Sequence, residues 1–267
     1  LRALTIADYT FVADTGKTVA MAGTTSTALP NEAIVFVKQG NSGTDYNVTI
    51  NGATATTAGP ADHKSTTIAS ALATAIAGLA GVTSATANGS VVKIVMSSDL
   101  NITVDDSLSN TGLGLVYKEV TAITDLPIKC FNDSRVKVKG DVELVQDDYY
   151  VKFATKDGAT FGEGTWIEDI GYGVTTTLDN TTMPIQIVPT FTGSAITSYA
   201  VDVATFTNRL VGDTDTNPNP SFVGKTINDI FFFKNRLGLL TDGAVIFSEA
   251  VEYFNFFRTT VLSLLDS

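Results

Sequence analysis

Two-residue turn signals punctuate this chain and, more than any other feature, restrict what it can fold into. Asn51-Gly52, Asn88-Gly89, Asp157-Gly158 and Asp242-Gly243 each sit between short runs rich in Thr, Val, Ile, Phe and Tyr. Such pairs adopt the left-handed backbone that tight hairpins need, and the flanking residues are β-formers. The pattern predicts successive antiparallel strands and a mainly β fold. Strand patterns occupy 3–14, 33–40, 44–52, 82–96, 100–106, 135–141 and 147–170, the stretch 82–96 reading as a hairpin centred on Asn88-Gly89. The run 183–191 contains Pro184 and Pro189 and reads as an edge or irregular strand, because proline cannot donate to a ladder.

One stretch departs from this pattern. In "KSTTIASALATAIAGLAG" (64–81), Ile68, Leu72, Ile76 and Leu79 fall on one face with Ala71 and Ala75 beside them, the period of an amphipathic helix. Ser65 or Thr66 can cap its start and Gly81 can end it. Strands, helix and strands in that order predict a compact α+β subdomain over 31–117, with the helix on one sheet face. The remaining divisions read as a β segment over 1–30, a β-rich subdomain over 118–200 and a β hairpin region over 201–267. If Asp242-Gly243 is a two-residue turn, Thr241 faces Ala244, Gly238 faces Phe247 and Arg236 faces Glu249. Arg236 and Glu249 would then form a cross-strand ion pair, and Phe247 would cover the bare Gly238. In the same region "FFF" (231–233) and "YFNFF" (253–257) are dense in aromatics, and Phe232 points away from Phe231 and Phe233. Both faces of that strand then need cover, from the core or from another subunit.

Charge and composition exclude several function classes. The 267 residues are 44% hydrophobic, enough for a sizeable core, and carry a net charge of −11. That balance argues against binding nucleic acid by neutralising phosphates. Cys130 is the single cysteine, so no internal disulfide is available, and a buried, inert thiol is expected. No stretch is long and apolar enough to span a bilayer, and the N-terminus lacks the pattern of a secretory signal. Both ends look cut, which leads us to expect a segment of a longer protein.

The most suggestive chemical motif is "DTDTNPNPSF" (213–222), where Asp213, Asp215 and Asn217 alternate as the first ligands of an EF-hand loop do. Such a loop needs Gly at its sixth position and a bidentate Glu at its twelfth. Pro218 and Gly224 stand there instead. The motif therefore reads as a rigid loop, its Asp and Asn side chains bonding nearby amides while Pro218 and Pro220 fix φ. His63 is the single histidine, in a polar loop before the helix, so neither a His/Cys metal cluster nor a nucleophile–histidine arrangement is expected. Asp105-Asp106, Asp147-Asp148 and Glu168-Asp169 are adjacent in strands and point to opposite faces, so none can act as a pair. No glycine cluster links a strand to a helix as a phosphate loop does. We expect no cofactor, no metal and no catalytic residue.

Several stretches together carry a family resemblance. "GDTDTNPNPSFVGKTINDIFFFKNRLGLL" followed by "FSEAVEYFNFF", with "LTIADYTFVAD" near the start and "LDNTTMP" at 178–184, resembles the tail tubular protein B, or nozzle, family of short-tailed bacteriophages. The resemblance implies a structural role without catalysis. It implies a hexameric ring at the distal end of the virion tail, below an adaptor ring and helping to hold the tail fibres. It also implies assembly in the host bacterial cytoplasm, no membrane, and viral DNA leaving through the lumen without sequence-specific binding. The implied core is propeller-like β structure carrying inserted domains, with 1–30 and 201–267 in the propeller. Within the matched motif, Asp213, Asp215, Asn217, Pro218, Pro220, Asn235, Arg236, Gly238 and Glu249 are then architectural. An acidic lumen that repels DNA would give the charge a purpose. The alternative is a carbohydrate-binding or polysaccharide-degrading tail protein, with Trp166 and the tyrosines stacking on sugars.

Overall fold

A computed structural model describes residues 1–140 and 143–263. The chain opens with β1 (Arg2–Ile6), β2 (Tyr9–Ala13), β3 (Glu32–Val37), β4 (Asp45–Ile50) and β5 (Ala53–Ala58), followed by helix α1 (Ser65–Ile76). Next come β6 (Val82–Asn88), β7 (Val91–Met96), β8 (Ile102–Asp106), β9 (Leu113–Tyr117), β10 (Glu119–Val120) and β11 (Lys129–Phe131). Then follow β12 (Arg135–Val138), β13 (Tyr149–Thr155), β14 (Phe161–Asp169), β15 (Ile185–Thr192) and β16 (Ala195–Val203). The last three strands are β17 (Asp229–Phe233), β18 (Arg236–Thr241) and β19 (Ala244–Phe247). The fold is mainly β, as the turn signals require, and among the described residues no helix is long and apolar enough to cross a membrane.

The contacts divide the chain into two units, Ala28–Asp169 and a second one made of Leu1–Thr27 with the segment from Ile170 onward. These seams differ from the expected 31–117 and 118–200 divisions, for reasons of pairing. Strand β10 bonds to β9 on one side and to β12 on the other, so one sheet runs straight through residue 117. The hairpin β15–β16 instead joins β2, which ties 185–203 to the N-terminal strands.

In the Ala28–Asp169 unit, nine strands form a curled sheet in the order β11-β14-β13-β12-β10-β9-β3-β7-β6. A separate sheet of three strands, β5-β4-β8, lies with α1 against part of it. Strand β3 is apolar on both sides because both sides are buried. Its Val35 and Val37 join Leu72, Ile76 and Tyr46 in one core, while Ile34 and Phe36 join Val136, Val151 and Phe153 in another. Consecutive strands β3 and β4 thus belong to different sheets, β3 apolar at successive positions and β4 alternating. Helix α1 buries Ile68, Leu72 and Ile76 as expected, but Ala69 and Ala73 complete its inner face, whereas Ala71 is exposed. Positions i, i+1, i+4 and i+5 here form the covered stripe. The helix starts at Ser65 without a side-chain cap, and Asp62 accepts the Lys64 N–H at 3.1 Å.

Local turn chemistry is met with one shift. Asn51 and Gly52 adopt φ of 49° and 85° between β4 and β5, the geometry of a primed hairpin turn. In the next hairpin Asn88 pairs with Val91, so Gly89 and Ser90 form the turn rather than Asn88 and Gly89.

In the other unit the sheets are β1-β2-β15-β16 and β17-β18-β19. Their core gathers Phe11, Phe206, Phe222, Leu237, Leu239 and Phe257. Phe254 sits edge-on to Tyr9 and Phe206, and Phe256 edge-on to Phe222, so most of "YFNFF" is internal. Strand β17 is covered less than expected: Ile230 is buried, but Phe232 and Phe233 are exposed. Strand β15 lies between β2 and β16 but is irregular as expected, its register shifting between Thr190 and Phe191 beside Pro189. Strand β2 pairs only with Ile185–Ile187, so Pro189 withholds no hydrogen bond from it. The 241/244 and 238/247 register holds. Two details do not. Gly238 is covered by Phe231, whose ring a Cβ there would meet at 2.4 Å, with Phe247 edge-on beyond it. Arg236 and Glu249 do not pair, because β19 ends at Phe247. Arg236 donates to the Ser248 carbonyl at 3.3 Å, and Glu249 accepts from the Asn255 side chain at 2.7 Å.

The helix register gives a direct test. Leu72→Ala should lower the unfolding free energy by about 2–5 kcal/mol, as a cavity in a closed core does. Ala71→Ser should change it by less than about 0.5 kcal/mol. Chemical denaturation measures both, and equal losses would refute the observed helix face.

Candidate functional site

The 213–222 motif forms a loop between β16 and β17, and its polar groups are turned on themselves. The Asp213 carboxylate accepts the N–H groups of Asp215 and Thr216 at 3.0 and 3.1 Å and the Thr216 hydroxyl at 3.2 Å. The Asp213 N–H donates back to that hydroxyl at 3.1 Å, and the Asn217 N–H reaches the Asp213 carbonyl at 2.9 Å. The result is a closed one-turn knot. Gly212 precedes it with φ of 70°, and a Cβ there would lie 2.6 Å from the Thr216 hydroxyl, so only glycine fits. Asp215 contributes its backbone.

Asn217, 1% exposed, is the latch. Its side-chain amide donates to the carbonyls of Val211 (2.9 Å) and Arg258 (3.1 Å), and its oxygen accepts the Arg258 N–H at 3.1 Å. A carboxamide side chain offers this donor–acceptor pair to a backbone. The loop is thereby bonded to the chain some forty residues downstream. Pro220 is buried and its carbonyl accepts the Val223 N–H, while Pro218 is exposed. The described bonds of these residues hold the shape of the loop. Among the described residues no group of three His, Cys, Asp or Glu side chains is placed to hold a metal ion.

The residue that sequence reasoning missed is Arg209. It is the bulkiest fully buried side chain among the described residues, 1% exposed. Its guanidinium donates to the Thr175 carbonyl at 2.8 Å and to the Asn219 side-chain oxygen, and it stacks 5.1 Å from the centre of the Phe257 ring. Burial pulls its pKa below the usual guanidinium value, and the Asp213 charge acts against that. The signal was present as a lone cation in "FTNRLVGD", four residues before Asp213.

Beyond the loop, Lys234 and Asn235 form the β17–β18 turn at φ of 48° and 57°, and the Asn235 carbonyl accepts the Val251 N–H at 2.7 Å. Asn235, Arg236, Gly238 and Glu249 thus serve a folded meander, apart from the Arg209–Asn217 network.

The other chemical candidates are occupied. The His63 Nδ1 accepts the Ser42 N–H at 3.1 Å. Cys130 is buried, and burial raises its thiol pKa. Asp106 accepts the N–H groups of Leu108, Gly112 and Leu113, and Asp105 accepts from Asn47. Asp148 pairs with Lys137 at 2.6 Å and Asp169 with Arg135 at 3.2 Å. The Trp166 N–H donates to the Pro127 carbonyl at 2.9 Å, and its ring sits edge-on to Phe153.

A family model described as "Bacteriophage nozzle protein" matches residues 1–267. The chain belongs to the bacteriophage nozzle protein family. It is also 30% identical over 283 residues to the tail tubular protein gp12 of Escherichia phage T7. That alignment covers all of this chain and 34% of the relative, so the chain spans about a third of the length of the curated relative it matches. The described bonds of the 209–222 network are packing and capping contacts.

Removing the latch should be costly. Asn217→Ala leaves two carbonyls and one N–H without partners and should destabilise by on the order of 3 kcal/mol. Asp215→Ala should cost less than about 0.5 kcal/mol. Calcium should leave the melting temperature of the wild type unchanged; a saturable rise would show a cation site in the loop.

Proposed function

We propose that residues 1–267 are part of a ring-forming structural subunit of a phage tail, at its distal nozzle, with DNA passing through the ring lumen. The observation that carries this reading is the nozzle family match across the whole chain. The name of the gp12 relative, a tail tubular protein, agrees with it. On this reading the described sheets of the first and last segments contribute to a propeller-like core, and the Ala28–Asp169 unit is an insertion. The partners are further copies of the chain in a hexamer, an adaptor ring above and the tail fibres. The location is the virion tail, after assembly in the host cytoplasm.

Absence of catalysis is part of the proposal. His63, Asp106, Asp148 and Asp169 are each engaged in local bonds. Trp166 is packed against Phe153 with its N–H engaged, so no specific observation favours the carbohydrate reading. The charge of −11 suits a lumen wall that repels phosphate instead of binding it.

Electron microscopy of the protein that carries this chain should reveal rings or tubes with sixfold symmetry and acids concentrated on the lumen wall. A particle that stays monomeric at all concentrations would refute the ring, and a basic lumen would refute the electrostatic role.

A further inference from the structure

Asn51-Gly52 and Asn88-Gly89 are the same dipeptide, and the fold treats them differently. An asparagine followed by glycine carries a latent reaction. The glycine nitrogen can attack the asparagine side-chain carbon, since glycine has no side chain to obstruct the approach. Whether it does so depends on the peptide that joins the two residues. Its carbonyl and its N–H form one rigid plane, so the nitrogen reaches the side chain only if the whole plane turns.

In the β4–β5 hairpin, Ile50 and Ala53 close the ladder, and Asn51 and Gly52 are the two turn residues. The Asn51 N–H is tied to the Asn101 carbonyl at 2.8 Å. The next peptide is free: among the described residues, neither the Asn51 carbonyl nor the Gly52 N–H has a hydrogen-bond partner, and neither does the Asn51 side-chain amide. A Cβ on Gly52 would meet nothing within 4 Å, so the plane has room to turn. In the β6–β7 hairpin the dipeptide is shifted by one place. Asn88 pairs with Val91, and residues that close a two-residue hairpin exchange both backbone bonds. The Asn88 carbonyl is therefore held in the last rung, and turning the 88–89 peptide breaks that rung. The Phe161 ring also lies against this turn, 3.5 Å from where a Gly89 Cβ would stand.

We propose that Asn51 is a site of spontaneous deamidation in the folded protein, and that its ladder rung protects Asn88. The Gly52 nitrogen bonds to the Asn51 Cγ, the Cγ–Nδ2 bond breaks, and ammonia leaves with the proton of the Gly52 amide. Water then opens the resulting succinimide at either carbonyl, giving aspartate or isoaspartate. The isoaspartyl product adds a backbone atom to a turn whose length sets the hairpin register, and either product adds a carboxylate. Strand β5, at the end of its sheet, pairs with β4 alone. Nothing in this proposal depends on the ring reading.

The test uses the full-length protein that carries this chain, aged in its native state at mildly alkaline pH. Samples are digested over time, and mass spectrometry that separates aspartyl from isoaspartyl peptides follows both sites. In the folded protein Asn51 should convert at least about fivefold faster than Asn88, as the cost of opening a ladder rung requires. In denaturant the two should convert at similar rates, because each precedes glycine. An Asn51 that stays intact in the folded protein, or that converts no faster than Asn88, overturns the proposal. The same rate ratio in the folded and denatured protein would overturn the protective role of the rung.

Discussion

A guanidinium withdrawn from water at Arg209 organises the second unit. Removing a cation from solvent is expensive unless the charge is answered. Here the Thr175 carbonyl, the Asn219 oxygen and the Phe257 ring surround it, and the charge of Asp213 acts on it as well. Those four come from three separate parts of the chain, Asp213 and Asn219 from the one loop. Their meeting around one side chain explains why the 213–222 loop is so tightly specified. Asn219 is held in place by the proline-flanked turn, Asp213 closes the knot beneath it, and Asn217 ties the assembly to the backbone at Arg258. The loop is rigid because Asp213, Thr216, Asn217 and Asn219 each complete a bond.

The same economy runs through the Ala28–Asp169 unit. Strand β3 serves two cores at once, so its side chains must be apolar at successive positions. The acids that looked like candidates for chemistry are consumed locally: Asp106 gathers three amides, and Asp148 and Asp169 pair with cations of neighbouring strands. A carboxylate engaged in this way stabilises its surroundings and is poorly placed to move protons. The contrast lies in the hairpin of 185–203, where all nine residues of β16 are exposed.

Legibility in the sequence followed the range of the interaction concerned. The turn at Asn51-Gly52 and the 241/244 register were readable because a positive φ is a local property of Asn and Gly. The inner face of α1 was readable in outline from Ile68, Leu72 and Ile76, but the side chosen by the alanines depended on what packed there. The separation of β3 and β4 into two sheets was not read from the sequence, although β3 is apolar at successive positions and β4 alternates. The expected Arg236–Glu249 pair failed because β19 stops at Phe247, where Ser248 and Asn255 capture the two charged groups. In the candidate site, Asp213 and Asn217 were visible as a loop, while Arg209 was passed over, since a lone arginine resembles any surface cation until its burial is seen.

By itself the sequence determined that the fold is mainly β, that one amphipathic helix forms, that the 213–222 loop lacks the ligands of a calcium site, and that the chain is akin to nozzle proteins. Each follows from composition, short-range backbone preference or a collinear motif. Tertiary structure alone decided that Arg209 is the buried hub, that Phe231 rather than Phe247 fills the space over Gly238, and that all nine residues of β16 are exposed. Those outcomes depend on which strand lies beside which. The same alternating residues would be core or surface according to the partner strand, and pairing across more than a hundred residues, as between β2 and β15, leaves no local mark in the chain.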